Sequence, residues 1–208
     1  MRMRTRRSMG FAALLGCVLL VAAFVAAGCG NGGDSNSGGT KTYTDTDYGF
    51  SFEYPADWQL QEGDSSDVTA GGNAAKSVGV FDPEGAVADD TYIDLAQVSV
   101  YELNLTVDES MMPEIQAEVE QVLASLESQA TDMKTIEALS EAEVAGMSGF
   151  KVTYSFFKSG APVTSTLYFL FSGDIEYQLT LQAATENWET NAPVFDALVA
   201  SFQPGPAE

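Results

Sequence analysis

The stretch "GFKVTYSFFKSGAPVTSTLYFLFSGDIEYQLTLQA", residues 149–183, decides the fold. It contains three runs in which apolar and polar residues alternate, separated by "KSGAP" and "SGD". A period of two is typical of a strand with one buried face. The faces expected to be buried are Phe150, Val152, Tyr154 and Phe156 in the first run, Val163, Ser165, Leu167, Phe169 and Phe171 in the second, and Ile175, Tyr177, Leu179 and Leu181 in the third. The pattern predicts a three-stranded antiparallel meander joined by two glycine-containing hairpins.

Further strands are predicted before the meander. In "YGFSFEYPADW", residues 48–58, Phe50, Phe52 and Tyr54 alternate with polar residues, and the following proline ends the strand. Trp58 is expected to close the turn under the sheet. Residues 78–81 and 92–103 predict two more strands, separated by the acidic turn-forming segment "DPEGAVADD".

Two segments have the spacing of amphipathic helices. In residues 111–128, apolar side chains recur at intervals of three and four, namely Met112, Ile115, Val119, Val122 and Leu126. Asp108 or Ser110 is a suitable N-cap, and Pro113 is tolerated only in the first turn. The second helix, "NAPVFDALVASF", is expected to begin behind Asn191. Two amphipathic helices and an antiparallel sheet predict an α+β fold in which helices flank the sheet.

The opening motif "YGFSFEYPADW", the sheet-rich middle with one long helix, and the closing "FDALVASFQP" together resemble the PsbP and Mog1 superfamily. The resemblance covers residues 42–204. It implies an α/β/α sandwich and a non-enzymatic protein, because members act as extrinsic subunits or binding partners of larger assemblies. Many bacterial lipoproteins of unknown role also belong to this superfamily.

The N-terminal segment predicts export from the cytoplasm. Four arginines lie within the first seven residues, and residues 8–28 are uncharged, which is the layout of a secretory signal. "AAGC", residues 26–29, resembles a lipobox, so we expect cleavage before Cys29 and a diacylglycerol on its sulfur. A retained transmembrane helix is the alternative, because the apolar run approaches the roughly 20 residues that span a bilayer. Thr5-Arg6-Arg7 also resembles a twin-arginine signal, although the general secretory route is expected.

The domain organisation follows from this processing. Residues 1–28 form the signal peptide, and residues 29–41 comprise the lipidated cysteine with the tether "GNGGDSNSGGT", whose composition is that of a flexible linker. Residues 42–204 form the folded domain, and residues 205–208 are a tail. Cleavage also removes Cys17, so the mature protein could form no internal disulfide.

The charge of the mature chain restricts its partners. The signal contains four of the nine basic residues and none of the thirty acidic residues, which leaves a net charge of −25. Such a chain is unsuited to nucleic acid, whose binding depends on cationic contacts to phosphates, and to anionic lipid headgroups. Attachment to the outer face of the cell membrane is therefore expected to depend on the lipid of Cys29, since two acyl chains suffice for stable anchoring.

No catalytic residue is expected. The chain has no histidine, which removes the usual proton shuttle and the Ser-His and Cys-His pairs. Ser155 and Lys158 match S-x-x-K, but residues three apart on a strand point to opposite faces. Tyr154 and Lys158 match Y-x-x-x-K without a dinucleotide-binding turn, so Tyr154 is interpreted as core. "GMSGF", around Ser148, is interpreted as a turn into the meander.

A calcium site is a better candidate than a catalytic site, because hard cations such as calcium are coordinated by oxygen ligands alone. The weak candidate ligands are Asp82, Glu84, Asp89, Asp90 and Asp94, which lie within thirteen residues. The segment lacks the D-x-[DN]-x-[DN]-G pattern of a calcium loop, so a solvated acidic loop is the plainer interpretation. Two carboxylates alone could also serve a glycosidase, but no spacing singles out a pair.

Three functions remain open at this point. The leading hypothesis is a non-catalytic, lipid-anchored extracytoplasmic protein that binds an unidentified envelope protein or cell-wall component. The second is a lipid or small-molecule carrier with an apolar cavity lined by aromatic residues. The third is a calcium-dependent structural lipoprotein.

Overall fold

A computed structural model describes residues 39–63, 74–129 and 132–206. The proposed signal, Cys29 and residues 30–38 of the tether lie outside these ranges. The strands are β1 Thr40–Thr44, β2 Ser51–Pro55, β3 Gln59–Gly63, β4 Lys76–Phe81, β5 Val87–Ala88, β6 Thr91–Tyr92, β7 Leu95–Val107, β8 Lys134–Val144, β9 Met147–Lys158 and β10 Ala161–Ala184. The helices are α1 Met112–Gln129 and α2 Trp188–Ser201, each preceded by a short 3-10 turn, Glu109–Met111 and Thr185–Asn187.

The main sheet is antiparallel, with strand order β3-β4-β7-β10-β9-β8. β1 and β2 form a separate antiparallel pair, and β5 and β6 form a second one. Helix α1 covers one face of the main sheet, while α2 and β2 cover the other. The α+β fold predicted from the sequence is therefore confirmed.

The long strand β10 folds back on itself. A straight strand of 24 residues would be about 80 Å long. However, the hydroxyls of Thr164 and Thr185 lie 3.1 Å apart, which requires a reversal between them. The first half of β10 pairs with β9 and the second half with β7, and Gly173 between them has φ +65°. The predicted meander is thus present, although strand pairing continues through "SGD".

The hairpin turns use the left-handed conformation. Ser159 and Gly160, in the predicted "KSGAP" turn, have φ values of 50° and 82°. Ala145 and Gly146 have φ values of 51° and 79° and join β9 to β8, a strand that the sequence analysis did not predict. The turn into the meander therefore lies at 145–146, because Ser148 of "GMSGF" already belongs to β9.

Two element boundaries were wrong. The strand expected over 92–103 is interrupted at residues 93–94, because Asp94 turns inward, and then continues as β7 to Val107. Helix α2 begins at Trp188 instead of behind Asn191 and contains Pro193. The Trp188 ring packs on Phe195 with centroids 5.4 Å apart, which stabilises the additional first turn by tertiary contact.

The core lies in two layers. Ile115 and Val119 of α1 pack against Val152 and Leu167 on one face of the sheet. On the other face a larger cluster packs Phe195 and Leu198 of α2 against β2, β4, β7 and β10. Trp58 contacts Phe195 edge to face, which places it under the sheet as expected. None of the described helices has the length and apolar character needed to span a bilayer.

Candidate interaction site

An open groove of about 700 Å³, called the end groove here, lies at the end of the sheet where Gly173 reverses β10. Its walls come from the turn after β1, the middle of β7, the reversal in β10 and the C-terminal segment. The lining residues are 46–49, 75, 102–103, 172–175, 177 and 205–206. The groove therefore joins these four segments, which are distant in sequence, together with Ala75 ahead of β4.

The turn that forms one wall is held by Asp45. Its side chain accepts hydrogen bonds from the backbone N–H groups of Asp47 at 2.9 Å and Tyr48 at 2.7 Å, and from the Tyr43 hydroxyl at 3.1 Å. Lys76 Nζ lies 3.2 Å from Asp45 Oδ2. Burial acts to raise the pKa of Asp45, but these hydrogen bonds and the ammonium outweigh it and hold the pKa below its usual value. The carboxylate therefore stays ionised and fixes the turn.

The C-terminal segment forms the opposite wall. Gln203 and Ser51 exchange backbone hydrogen bonds of 2.9 Å, which add this segment to the edge of β2. A Cβ at Gly205 would lie 1.7 Å from the carbonyl oxygen of Tyr48, so only glycine permits this approach. The backbone N–H of Gly205 also donates to Tyr177 Oη at 3.3 Å. The segment expected to be a tail after residue 204 thus begins with residues that shape the groove.

The lining combines carboxylates with apolar surface. Asp47, Glu102 and Asp174 supply negative charge, and Leu103 and Ile175 supply apolar contact. The Tyr48 hydroxyl donates to Glu102 Oε1 at 2.8 Å. Burial, then the neighbouring Glu102, raises the pKa of Tyr48 to about 12, so this hydroxyl remains a donor at physiological pH. Such a lining suits a cationic segment with apolar side chains.

A second cavity of about 470 Å³ lies between the start of α1 and the β8–β9 hairpin. It is lined by Met112, Pro113 and Phe150 together with Glu109 and several other polar groups. The aromatic residues considered for a carrier cavity pack on one another instead. For example, the rings of Phe50 and Phe202 are stacked with centroids 6.1 Å apart, and both side chains are fully buried.

The structure places the five candidate calcium ligands in different surroundings. Asp94 is buried, and its two oxygens accept hydrogen bonds from Ala86, Ala184 and Asn187. Among the residues that the structure describes, no three acidic, cysteine or histidine side chains converge to hold a metal.

The other four candidates lie in turns or at the surface. Asp89 and Asp90 form the β5–β6 turn with φ values of 46° and 59°, a conformation that Asp tolerates. Asp82 Oδ1 accepts from the backbone N–H of Glu84 at 2.9 Å. Local backbone geometry therefore accounts for three of these acidic residues, while the calcium hypothesis remains a prediction.

The residue pairs that match catalytic motifs are accounted for by their positions on strand β9. Tyr154 is buried in the core beneath α1, as expected, and burial raises its pKa to about 12. Ser155 and Lys158 lie three residues apart on β9, so they point to opposite faces. Burial lowers the pKa of the Lys158 amine to about 8.

The residues of the end groove were missed by the sequence analysis. Asp47, Glu102 and Asp174 matched no motif, and Tyr48 was considered only as the first residue of "YGFSFEYPADW". The glycine at position 205, just after the predicted last element, was the only local signal, since it is typical of close backbone approach.

The sequence profile of the family described as PsbP-like protein matches residues 30–203 of the chain. The chain belongs to the PsbP-like protein family. No curated protein matches it. Members of the family are generally non-catalytic.

Two solved structures show the same PsbP-like fold. The solution structure of the cyanobacterial PsbP protein CyanoP from Synechocystis is 17% identical, with a TM-score of 0.55 over 84% of this chain and 98% of that chain. The crystal structure of LpqN from Mycobacterium tuberculosis, a protein described as involved in cell envelope biogenesis, is 15% identical. Its TM-score is 0.53 over 81% of this chain and 91% of that chain. At these identities the likeness concerns the fold alone.

Proposed function

We propose that this chain is a lipid-anchored extracytoplasmic protein whose PsbP-like domain binds an envelope protein in the end groove. The main support for this proposal is the end groove itself. It is an opening of about 700 Å³ in which carboxylates flank apolar side chains. A partner segment with lysine or arginine beside apolar residues would complement this lining. The description of LpqN as involved in envelope biogenesis supports the choice of compartment.

The position of the tether supports the same function. The proposed tether leads into Thr40, the first residue of β1, whose last residue directly precedes Asp45 and the groove turn. β1 has five residues and thus spans about 16 Å. A ten-residue glycine-rich tether has an end-to-end distance of about 18 Å. A lipid on Cys29 would therefore hold the domain near the membrane with the end groove at the far end of β1.

The proposal is tested by site-specific photo-crosslinking in cells. A photo-reactive amino acid replaces Asp174 in the groove or, as a control, Glu120 on the exposed side of α1. We expect a protein adduct from position 174 that is weak or absent from position 120. Equal adducts from both positions would overturn the groove as the binding site.

A charge-reversal pair provides a matched control. Asp47→Lys with Asp174→Lys reverses the charge of the groove, whereas Glu114→Lys with Glu120→Lys makes the same change in total charge on α1. We expect only the groove pair to abolish co-purification of the crosslinked partner. If purified protein carried lipid and no reproducible protein partner, the carrier hypothesis would replace this one.

A further inference from the structure

The hairpin that joins β9 to β10 lies at the end of the main sheet opposite to the end groove. β10 leaves this hairpin at Ala161 and reaches Gly173, in the wall of the groove, twelve residues later. This length corresponds to about 40 Å of extended strand. Residues 158–161, which form the turn, are called the hairpin tip.

The chain enters the domain at this same end. Thr40 opens β1 opposite Pro55, and β1 runs from there towards the groove turn at Asp45. Past Pro55 the chain enters β3 at Gln59, which pairs with Phe81, the residue of β4 that is farthest from the groove. Thr40 and the hairpin tip therefore lie on the side of the domain away from the groove, called the tether end here.

Exposed apolar side chains are concentrated towards the tether end. Among the residues that the structure describes, three large apolar side chains are more than half exposed, namely Val87, Ile136 and Phe157. Phe157, at 58%, directly precedes the hairpin tip. Ile136 lies near the start of β8, which pairs with the same end of β9. Val87 is in β5, whose Ala88 packs in one apolar cluster with Ala161. Such a distribution indicates an interaction surface.

The strands that carry the hairpin tip contain no carboxylate. Residues 144–173 include Lys151 and Lys158 but no aspartate or glutamate, although the chain has thirty acidic residues. Moving a carboxylate out of water costs much free energy, so this segment suits contact with a bilayer better than the carboxylate-lined groove does. Asp89 and Asp90, in the neighbouring β5–β6 turn, are exposed and restrict such contact to the headgroup region.

The amine of Lys158 has no partner within the described part of the domain. Its Nζ is buried and forms no hydrogen bond there. A buried ammonium without a partner is costly, and the long lysine side chain is able to extend its amine to an interface. Phosphate oxygens of lipid headgroups would accept hydrogen bonds from this amine beside an inserted Phe157 ring.

We propose that the hairpin tip contacts the headgroup region of the membrane that carries the lipid anchor, with the ring of Phe157 inserted at the interface. The tether, with an end-to-end distance of about 18 Å, keeps the tether end within reach of the bilayer. Aromatic side chains contribute apolar contact in this region. The inference rests on the proposed lipid anchor, and it specifies which surface of the domain faces the membrane.

The test uses the mature lipoprotein in phosphatidylcholine vesicles with a fluorophore on a single introduced cysteine. An acylated Cys29 has no free thiol, so each variant takes one label. Pro162→Cys is exposed opposite Phe157, and Ser148→Cys is exposed near the other end of β9. Lipids with a nitroxide on the headgroup quench a fluorophore at the membrane surface. We expect strong quenching at position 162 and little at position 148.

Two substitutions test the role of the aromatic ring. Phe157→Ser should reduce the membrane-bound population of the hairpin about tenfold, because one aromatic side chain no longer leaves water. Phe157→Trp should retain the quenching. Because Phe157 is mostly exposed, both variants should keep the melting temperature of the wild type, which separates a loss of contact from a loss of folding.

Three results would overturn the inference. The first is equal quenching at positions 162 and 148, and the second is quenching at position 162 that Phe157→Ser leaves unaltered. The third is an unquenched position 162 together with a protein adduct from a photo-reactive amino acid at position 157, which would assign the hairpin to a protein partner. Failure of the lipid anchor is distinguishable, because Cys29 of the wild type would then take the label.

Discussion

Asp94 Oδ1 accepts a hydrogen bond from the backbone N–H of Ala184 at 2.7 Å, across 90 residues of chain. Its Oδ2 accepts from Asn187 Nδ2 at 2.7 Å and from the backbone N–H of Ala86 at 3.1 Å. One buried carboxylate thus connects the acidic loop after β4, the end of β10 and the approach to α2. This arrangement gives Asp94 a structural role that does not depend on a metal ion.

Asp94→Asn should destabilise the domain strongly. The amide replaces one acceptor oxygen by a donor, which would face an N–H group that the carboxylate now satisfies. Leaving such a buried group unsatisfied costs about 1–3 kcal/mol, or more where a charged acceptor is lost. Thermal unfolding checks this, with Glu84→Gln in the exposed part of the same loop as the control. Equal melting temperatures for the two variants would contradict the structural role.

Calcium should leave the melting temperature unchanged at constant ionic strength. The Asp94 oxygens are occupied by N–H donors, and Asp89 and Asp90 form a hairpin turn. An ion that binds only the native state must raise the midpoint with its concentration. A saturable rise with CaCl2 that magnesium does not reproduce, and that Asp89→Asn removes, would instead support the calcium hypothesis.

Periodicity predicted the layers of the fold because each element buries one face. Val152 and Leu167 were assigned to the same buried face, and the structure places both beneath α1. Helix α1 was predicted within one residue at both ends, and Asp108 does accept a hydrogen bond from the backbone N–H of Ser110. Local propensity and tertiary packing agree in these segments.

The end groove could not be predicted from periodicity, because it depends on strand register and on the reversal of the chain. The approach of Gly205 to Tyr48 joins segments 157 residues apart, and no local pattern indicates it. Strand β8 was missed because most of its residues are exposed, so it shows no regular alternation of buried and exposed positions.

Glu176→Gln should change the pH dependence of stability. The native pKa of Glu176 is about 7, above the ordinary value of 4.5, so the native state binds the proton more tightly than the unfolded state. This contribution is fully present below pH 4.5 and is lost as the pH rises through 7. The glutamine variant should therefore gain stability over the wild type above pH 7, by up to roughly 3 kcal/mol.

Urea unfolding at pH 4.5 and pH 8 measures this difference. Glu53→Gln, at an exposed position of β2, serves as the control and should follow the wild type at both values. A Glu176→Gln variant with an undiminished loss of stability between pH 4.5 and pH 8 would show that another group is responsible.

Ala145→Asn should stabilise the β8–β9 hairpin. Ala145 is exposed and has φ 51°, a left-handed conformation that asparagine adopts more readily than alanine. We expect a gain of about 0.5–1 kcal/mol, because the left-handed conformation costs an L-residue roughly 1–2 kcal/mol and local hydrogen bonds of the asparagine side chain offset part of that cost. The same substitution at Ala124, exposed on α1, should cost about 0.5 kcal/mol through helix propensity. Destabilisation at both positions in chemical unfolding would contradict the assigned turn.

The proposed function requires that a lipid on Cys29 holds the acidic PsbP-like domain outside the cytoplasm. Intact mass spectrometry of the protein extracted from cell membranes tests this most directly. We predict a mature chain that begins at Cys29 and carries the additional mass of a diacylglycerol. A chain that retains Met1, or a processed chain with an unmodified Cys29, would contradict the account.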